Sequence, residues 1–229
     1  DIMGISCGRL DQYASAFGKI LKIDTRPPYN VEELSLEEGI FVVLDSGIKH
    51  STAEIHPRRQ EEINMGLKAL LESPQLPNHI RRKLGRTYYE TLWEELCEEE
   101  ITPYLNKIAK NSRNRIEFTI KEHKSTILAL KIIKGEIPDK ETIQNILGKK
   151  WKKHIEEAFA SKNVKLKLIG TIINQQHELL RDLYELSLPQ IEKIRNSAIK
   201  AGALGAKISG AGLGGSIIAL SEDTETAKK

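Results

Sequence analysis

Alternation of hydrophobic and polar positions divides the chain into a beginning and an end that favour strands, separated by a long helical middle. Apolar runs predict strands at residues 18–24 and 39–45, and the second run is continuous, as is typical of a central strand. Two further runs predict strands at residues 206–209 and 216–220, on either side of a glycine-rich loop. The hydrophobic pattern therefore predicts helices flanked by strand-forming regions.

The helical middle begins in this pattern at Pro57 and is interrupted by Pro74 and Pro77. Apolar positions at helical spacing then predict helices within residues 81–110, 116–133, 139–148, 151–159, 165–183 and 187–202. The last of these has a capping signature, in which Ser187 caps, Pro189 occupies the first turn and Gln190 completes a capping box.

The loop between the last two predicted strands contains four glycines within six positions, Gly210, Gly212, Gly214 and Gly215. Glycine is used where the backbone needs a positive φ or where another group comes very close to it. A flexible hairpin tip is the alternative, but such linkers combine glycine with serine and polar flanks. Here the flanking residues are apolar, so we expect the loop to be held in one conformation.

Composition limits the classes of protein that this chain can represent. It has 229 residues, of which 39% are hydrophobic and 29% charged, as in a soluble globular protein. Thirty-five basic and 32 acidic residues give a net charge of +3, too balanced for a nucleic-acid surface. Two cysteines favour a reducing cytoplasm, and no apolar run has membrane-spanning length. Because the chain starts at Asp1 without a methionine, we expect it to be a fragment.

Three polar features are candidates for chemistry, each with a structural alternative. Asp11 follows Gly8 at a predicted helix start, where a carboxylate also serves as a cap or a favourable first-turn charge. His177 lies beside the apolar stripe of its helix, where a hydrogen-bonded core residue is favoured over a ligand. For the polar loop after the second strand, a solvated loop and a functional site are equally favoured; it contains Asp45, Ser46, Lys49, His50 and Ser51.

Several segments, read together, resemble a known family. Residues 7–12 (Cys-Gly-Arg-Leu-Asp-Gln) resemble the Cys-Gly-x-Met/Leu-Asp-Gln segment of galactokinases. Residues 204–215 resemble the third conserved motif of the wider GHMP kinase superfamily. Residues 43–50, 58–62 and 177–187 follow the galactokinase order, whereas residues 74–116 match least. The resemblance implies an α+β GHMP kinase fold, with residues 1–38 ending the N-terminal domain and residues 39–229 forming the C-terminal domain.

The resemblance also implies a reaction, the transfer of the γ-phosphoryl group of ATP, with magnesium, to a sugar hydroxyl. Asp11 falls on the family's catalytic aspartate, which contacts the attacking hydroxyl as proton acceptor or orienting charge, and this role replaces the capping interpretation. The other implied positions are Cys7, Gly8, Ile55 and His56 for substrate binding, and Ser209, Gly210, Gly212, Gly214 and Gly215 for the glycine-rich motif. We expect this motif to be a supporting wall rather than a phosphate cradle, and we expect no metal ligand in this chain.

The chain departs from the family pattern in three ways. It has neither the Gly-Glu-His segment nor the arginine with which galactokinases hold the sugar. The phosphate-binding loop and a magnesium-binding glutamate are expected upstream of Asp1, so ATP binding requires that missing segment. The family's sugar-contacting tyrosine is replaced in the region of Ile55 or His56, which leaves the identity of the sugar open.

Three alternatives follow from these departures. The substrate is a mevalonate-like alcohol, or the protein is a sugar-binding sensor without catalysis, or the chain is a non-catalytic structural fragment. The presence of Asp11 argues against the sensor, because a kinase-like protein without catalysis is expected to have lost the catalytic acid. The expected partner is a small-molecule sugar or alcohol substrate, with no nucleic acid and no membrane.

Overall fold

The computed structural model describes residues 10–49 and 52–229, excluding the side chains of residues 52–54. Its first elements are helix α1 (Leu10–Phe17) and strands β1 (Ile20–Ile23) and β2 (Val31–Leu34). The two strands pair antiparallel, with Ile20 opposite Leu34 and Ile23 opposite Val31, and form a sheet of their own.

A second, three-stranded antiparallel sheet contains strands from both ends of the chain. It consists of β3 (Ile40–Asp45), β4 (Gly205–Ser209) and β5 (Ser216–Ser221), in the order β3-β5-β4. The prediction that β3 is a central strand is wrong, because among the described residues β5 is the strand that pairs on both edges. Phe41 and Val43 accordingly remain 41% and 68% exposed.

Helices form the remainder of the molecule, which confirms the α+β class. The longest are α2 (Thr52–Glu72), α5 (Lys110–Ile133) and α8 (Val164–Asp182). The others are α3 (Asn78–Arg81), α4 (Glu98–Leu105), α6 (Lys140–Leu147), α7 (Lys152–Phe159), α9 (Pro189–Lys200) and α10 (Thr224–Ala227), with 3-10 turns at Trp93–Glu95 and Lys149–Trp151. None of the described helices is both long and apolar enough to cross a bilayer.

Two predicted helix starts differ from the structure. Helix α2 begins at Thr52 and continues through Pro57, at the loss of the backbone hydrogen bond that proline cannot donate. Helix α9 begins one residue later than predicted, so Leu188 is its N-cap and Pro189 its first residue. The capping role of Ser187 is therefore wrong, and its hydroxyl instead donates to Glu192.

The helical prediction for residues 81–110 is correct at Arg81, over α4 (Glu98–Leu105) and at Lys110, and is wrong for the residues between α3 and α4 apart from the 3-10 turn. Between α3 and the 3-10 turn the chain forms turns, which side chains stabilise through bonds to the backbone. The amide of Gly85 donates to Thr91 Oγ1 at 3.1 Å, and that hydroxyl donates to the Thr87 carbonyl at 3.0 Å. The Tyr88 amide donates to Asn64 Oδ1 of α2 at 2.8 Å. These bonds replace the helical ladder that the apolar spacing predicted.

The apolar core has three parts. The first part surrounds the first half of α5 and includes side chains of α2 and α4. The second part surrounds the second half of α5 and includes side chains of α6, α7 and α8. The third lies under the three-stranded sheet and includes Ile208 and Ile217. Helix α8 approaches β4 very closely: a Cβ added at Gly205 would lie 2.8 Å from the carbonyl carbon of Gly170 and nearer still to its oxygen.

Candidate functional site

The loop that follows β3 lies against the loop of the β4–β5 hairpin. The amide of Ser46 donates to the carbonyl of Gly215 at 2.8 Å, and the amide of Gly215 donates to the carbonyl of Ile48 at 3.1 Å. Side chains shape the first loop, because Asp45 Oδ1 accepts from the Gly47 amide at 3.0 Å and Ser46 Oγ accepts from the Ile48 amide at 3.2 Å. Two of the motif segments named above are thereby joined.

The hairpin loop itself is held in one backbone conformation, as predicted. All four of its glycines have positive φ: Gly210 (80°), Gly212 (74°), Gly214 (144°) and Gly215 (71°). Gly212 has a second constraint, since an added Cβ would lie 2.6 Å from the Cβ of Leu186. The amide of Leu213 donates to the Leu186 carbonyl at 2.7 Å. The loop is therefore wedged against the segment that precedes α9.

The backbone amides of this loop bear on its ability to bind phosphate. A phosphate cradle needs several amides free to donate to the anion. The amides of Leu213 and Gly215 already donate to carbonyls of Leu186 and Ile48. These two groups do not fit a phosphate site in this conformation, which agrees with the expectation of a supporting wall.

Arg115 is the centre of a buried ion cluster behind the hairpin loop. Its side chain is 0% exposed; its Nε donates to Glu62 at 2.7 Å and its Nη2 to Glu185 at 2.6 Å, and Nη1 donates to the Leu183 carbonyl. Arg59 adds two bonds to Glu62, at 3.0 and 3.1 Å. Helices α2 and α5 are thus tied to residues 183–185, directly before Leu186.

The pKa of Glu62 reflects this environment. Burial alone would raise it, but the hydrogen bond and charge of Arg115, together with the charge of Arg59, outweigh that effect. The pKa is therefore lowered from 4.5, and the carboxylate stays ionised.

His177 belongs to a second polar cluster, between α8 and α9. Its side chain is 0% exposed, and Nε2 lies 2.9 Å from Glu192 Oε1. Glu192 also accepts from Ser187 and lies 3.5 Å from Arg181 Nη1. Burial lowers the pKa of His177 from 6.5 despite the attraction of Glu192. The prediction of a hydrogen-bonded core histidine is confirmed, and its role is to fix the start of α9.

Together these contacts connect four of the five motif segments. Residues 43–50 and 204–215 meet at Gly215, residues 177–187 meet the hairpin loop at Leu186, and residues 58–62 join residues 183–185 through Arg115. The fifth segment, residues 7–12, is described only from residue 10. Cys7 and Gly8 lie outside the described residues, as do His50 and Ser51 of the polar loop.

Asp11 lies in the first turn of α1 and is exposed. Among the residues that the structure describes, its carboxylate forms no hydrogen bond and no ion pair, so it is accessible to a molecule in solution. The helix dipole favours a negative charge at this end of α1. A catalytic role of Asp11 stays a prediction.

The two positions near the missing tyrosine have different surroundings. Ile55 is half-buried and packs against the core under the three-stranded sheet, whereas His56 is exposed on α2. Substrate contact at either position stays a prediction. Ser209 ends β4 opposite Ser216, at the base of the hairpin loop.

Sequence reasoning missed Arg115. Its signal was available, because Arg115 directly precedes Ile116 in a helix whose inward face also includes Ile120. A cation at such a position is buried only when paired. Its partners, Glu62 and Glu185, are distant in sequence, so the pairing itself was not deducible.

The described part of the chain contains no group of three or more His, Cys, Asp or Glu side chains that could hold a metal ion.

The fold and the motif contacts define an α+β protein whose strands from both ends of the chain form one sheet. Comparison with known families shows which family this protein resembles. Residues 156–229 match the family model described as GHMP kinases C terminal. Galactokinases from Thermotoga petrophila and Thermococcus kodakarensis are homologues, 27% and 26% identical over 97% of the chain. The predicted resemblance to the GHMP kinase superfamily and its galactokinase branch is confirmed.

A solved structure shows the same fold. The galactokinase of Lactococcus lactis, in its complex with galactose, matches 96% of the chain with a TM-score of 0.67 and 22% sequence identity. The chain covers 48% of that protein, and 51% and 50% of the Thermotoga and Thermococcus proteins. It therefore spans about half the length of these relatives.

Proposed function

We propose that the full-length protein is a small-molecule kinase of the galactokinase type, which transfers the γ-phosphoryl group of ATP to the anomeric hydroxyl of a sugar. The observation that carries this proposal is the similarity to galactokinases over 97% of the chain, far beyond residues 156–229. The contacts among four motif segments support it: residues 43–50 and 177–187 touch the hairpin loop, and residues 58–62 are tied to residues 183–185 through Arg115.

Asp11 is the proposed catalytic carboxylate. The sugar hydroxyl oxygen forms a bond to the γ-phosphorus, the bond from that phosphorus to the β–γ bridging oxygen breaks, and ADP leaves with the electron pair. Asp11 accepts the hydroxyl proton or orients the hydroxyl, and the proton then passes to solvent. Its exposure and its lack of a partner in the described part of the chain suit either role.

The same proposal includes further residues, cofactors and the cellular location. Cys7, Gly8, Ile55 and His56 contact the substrate, and a domain boundary follows residue 38. ATP and magnesium bind with the help of residues outside this chain. The protein acts in the cytoplasm on a free sugar.

The test is ADP release by the full-length protein, measured across galactose, N-acetylgalactosamine, arabinose, galacturonate and mevalonate. We expect turnover with a sugar, and ³¹P NMR of the product should show phosphate on the anomeric carbon. Turnover with mevalonate alone would support the alcohol-kinase alternative. Nucleotide and sugar binding without turnover would identify a sensor and refute the proposal.

Replacing Asp11 by asparagine tests the residue. We expect D11N to lower kcat by at least about a hundredfold, the smaller end of what one acid–base group contributes, while nucleotide affinity is unchanged. Asp139→Asn is the matched control, because Asp139 caps α6 through the Thr142 amide at 2.9 Å and asparagine caps equally well. Equal activity of D11N and D139N would contradict the assignment of Asp11.

A further inference from the structure

Residues 10–34, which contain α1, β1 and β2 and are called the N-terminal unit below, contribute little to the apolar core. No residue of α1 is buried, and in the two strands only Leu34 is. Helix α1 contacts β1, and the chain turns between them at Gly18 and Lys19, whose φ angles are 66° and 62°. The position of Asp11 in α1 therefore depends on how the N-terminal unit is attached to the helices.

Arg26, in the loop between β1 and β2, reaches from the N-terminal unit to the helical part of the molecule. Its Nη2 donates to the carbonyl oxygen of Thr91 at 2.6 Å, and its Nη1 lies 3.5 Å from Glu94 Oε1. A charged donor makes a stronger hydrogen bond than a neutral one. The pair with Glu94 is long and both of its side chains are about half exposed, so the Thr91 carbonyl is the main partner.

The carbonyl that accepts from Arg26 belongs to a turn that is fixed by its own hydrogen bonds. Thr91 is 0% exposed, and its hydroxyl accepts from the Gly85 amide and donates to the Thr87 carbonyl. The amide of the next residue, Leu92, donates to the Lys83 carbonyl at 2.9 Å. Arg26 therefore binds an acceptor whose position does not depend on Arg26 itself.

The hairpin formed by β1 and β2 links Arg26 to α1. The Asp24 amide donates to the Asn30 carbonyl at 2.9 Å and closes the loop that contains Arg26. Leu10, the first residue of α1, lines the same cavity of about 720 Å³ as Arg26 does. Because Asp11 directly follows Leu10, the first turn of α1 borders the cavity that the Arg26 anchor also borders.

We propose that Arg26 is a positioning residue for phosphoryl transfer: by binding the Thr91 carbonyl, it fixes the N-terminal unit, and with it Asp11, relative to the helices. This inference rests on the proposed function, in which Asp11 acts on the attacking hydroxyl. It also gives a role to residues 85–94, which lie in the segment that resembles galactokinases least and which form the receptor for Arg26. A displacement of about 1 Å can cost on the order of a hundredfold in rate, so an anchor away from the reaction can affect kcat.

Hydrogen exchange tests the anchor without any catalysis. In Arg26→Met of the full-length protein, amides of the N-terminal unit should exchange at least about tenfold faster, the worth of one hydrogen bond from a charged group. Lys19→Met is the matched control on the same unit. Its partner, Glu33 at 2.5 Å, lies within the unit and both side chains are exposed, so K19M should exchange like the wild type.

Kinetics and a double-mutant cycle test the link to Asp11. R26M should lower kcat at least about tenfold without changing the KM for ATP, and Arg26→Lys should recover part of the loss, because an ammonium group can still donate to the Thr91 carbonyl. In a D11N background, R26M should lower kcat no further, since misplacing a group that is already inactive has no effect. A general loss of stability would instead lower kcat by the same factor in both backgrounds.

The outcomes separate this inference from the proposed function. Faster exchange in R26M but not in K19M, with a loss of kcat that disappears in the D11N background, supports the positioning role. Unchanged exchange in R26M, or the same loss of kcat in both backgrounds, overturns the positioning role alone. Absence of turnover by the wild type refutes the proposed function and the positioning role together.

Discussion

Replacing Arg115 by methionine tests whether the buried ion cluster holds the motif segments together. The guanidinium is fully buried and donates to two carboxylates and one carbonyl, on two parts of the chain, α2 and residues 183–185. Methionine keeps much of the apolar volume but removes every donor. Glu62 then loses its closest partner, and the Leu183 carbonyl loses its bond to the guanidinium.

The expected cost follows from what remains after the substitution. Breaking a buried ion pair costs about 3–5 kcal/mol, because it leaves an uncompensated charge. Here Glu62 keeps its two bonds to Arg59, and Glu185 is 52% exposed, so water replaces part of what it loses. We therefore expect about 3 kcal/mol, at the lower end. For a chain of this length that corresponds to a fall in Tm of about 6–12 °C.

Two measurements separate this local effect from general damage. Urea unfolding gives the free energy, and hydrogen exchange reports on the Leu213 amide, which donates to Leu186 at 2.7 Å. In R115M that amide should exchange faster, because residues 183–186 lose their anchor. The control is Arg113→Met on the same helix; among the described residues, Arg113 forms one ion pair, a partly exposed one at 4.0 Å with Glu117. Its expected cost is below about 1 kcal/mol.

A cost for R115M within about 1 kcal/mol of that for R113M would refute this reasoning, since the cluster would then add nothing net to stability. Unchanged exchange at Leu213 would show that the hairpin loop is held independently of Arg115.

Two further substitutions test the packing of the sheet and the histidine cluster. Gly205→Ala should lower the free energy of unfolding by about 3 kcal/mol, because its Cβ would overlap the backbone of Gly170. The control is Gly148→Ala, where the Cβ would meet open space and the strain comes only from the φ of 100°; its cost, also measured by urea unfolding, should be about 1 kcal/mol. Equal costs would show that the close approach relaxes easily. The pKa of His177 is lowered in the folded protein, so its contribution to stability is complete above about pH 6.5 and is lost as the pH falls below that value. His177→Gln keeps a hydrogen bond to Glu192 without titrating, so its Tm should fall less than that of the wild type between about pH 7 and pH 5; parallel falls would contradict the pKa shift.

Local features of the sequence were sufficient to predict those elements whose conformation depends on neighbouring residues. Helix α6 starts at a side-chain cap from Asp139 and ends at Gly148 with φ 100°, and both residues marked its limits in advance. The hairpin loop was predicted to be held because apolar strands flank its glycines, and the structure gives all four a positive φ. The same glycines and the order of the other motifs also identified the superfamily.

Features that depend on distant residues were not predictable in this way. Residues 81–110 have the apolar spacing of a helix, yet the amide of Tyr88 donates to Asn64 on another helix, and side chains of Thr91 and Glu90 take the place of helical bonds. The apolar run of β3 also could not show that, among the described strands, β3 pairs only with β5. That pairing depends on β5, which lies far along the chain from β3.

The sequence by itself predicted the glycine hairpin and the helical middle of the chain, because these depend on residue type at short spacing. Its resemblance to galactokinases gave the expected fold class, the superfamily and Asp11 as the candidate catalytic position. Only the tertiary structure decided that Arg115 joins α2 to the segment holding the hairpin loop. The physical reason is that a buried charge or a buried polar atom must find its partner in space, and the partner's position along the chain is unconstrained.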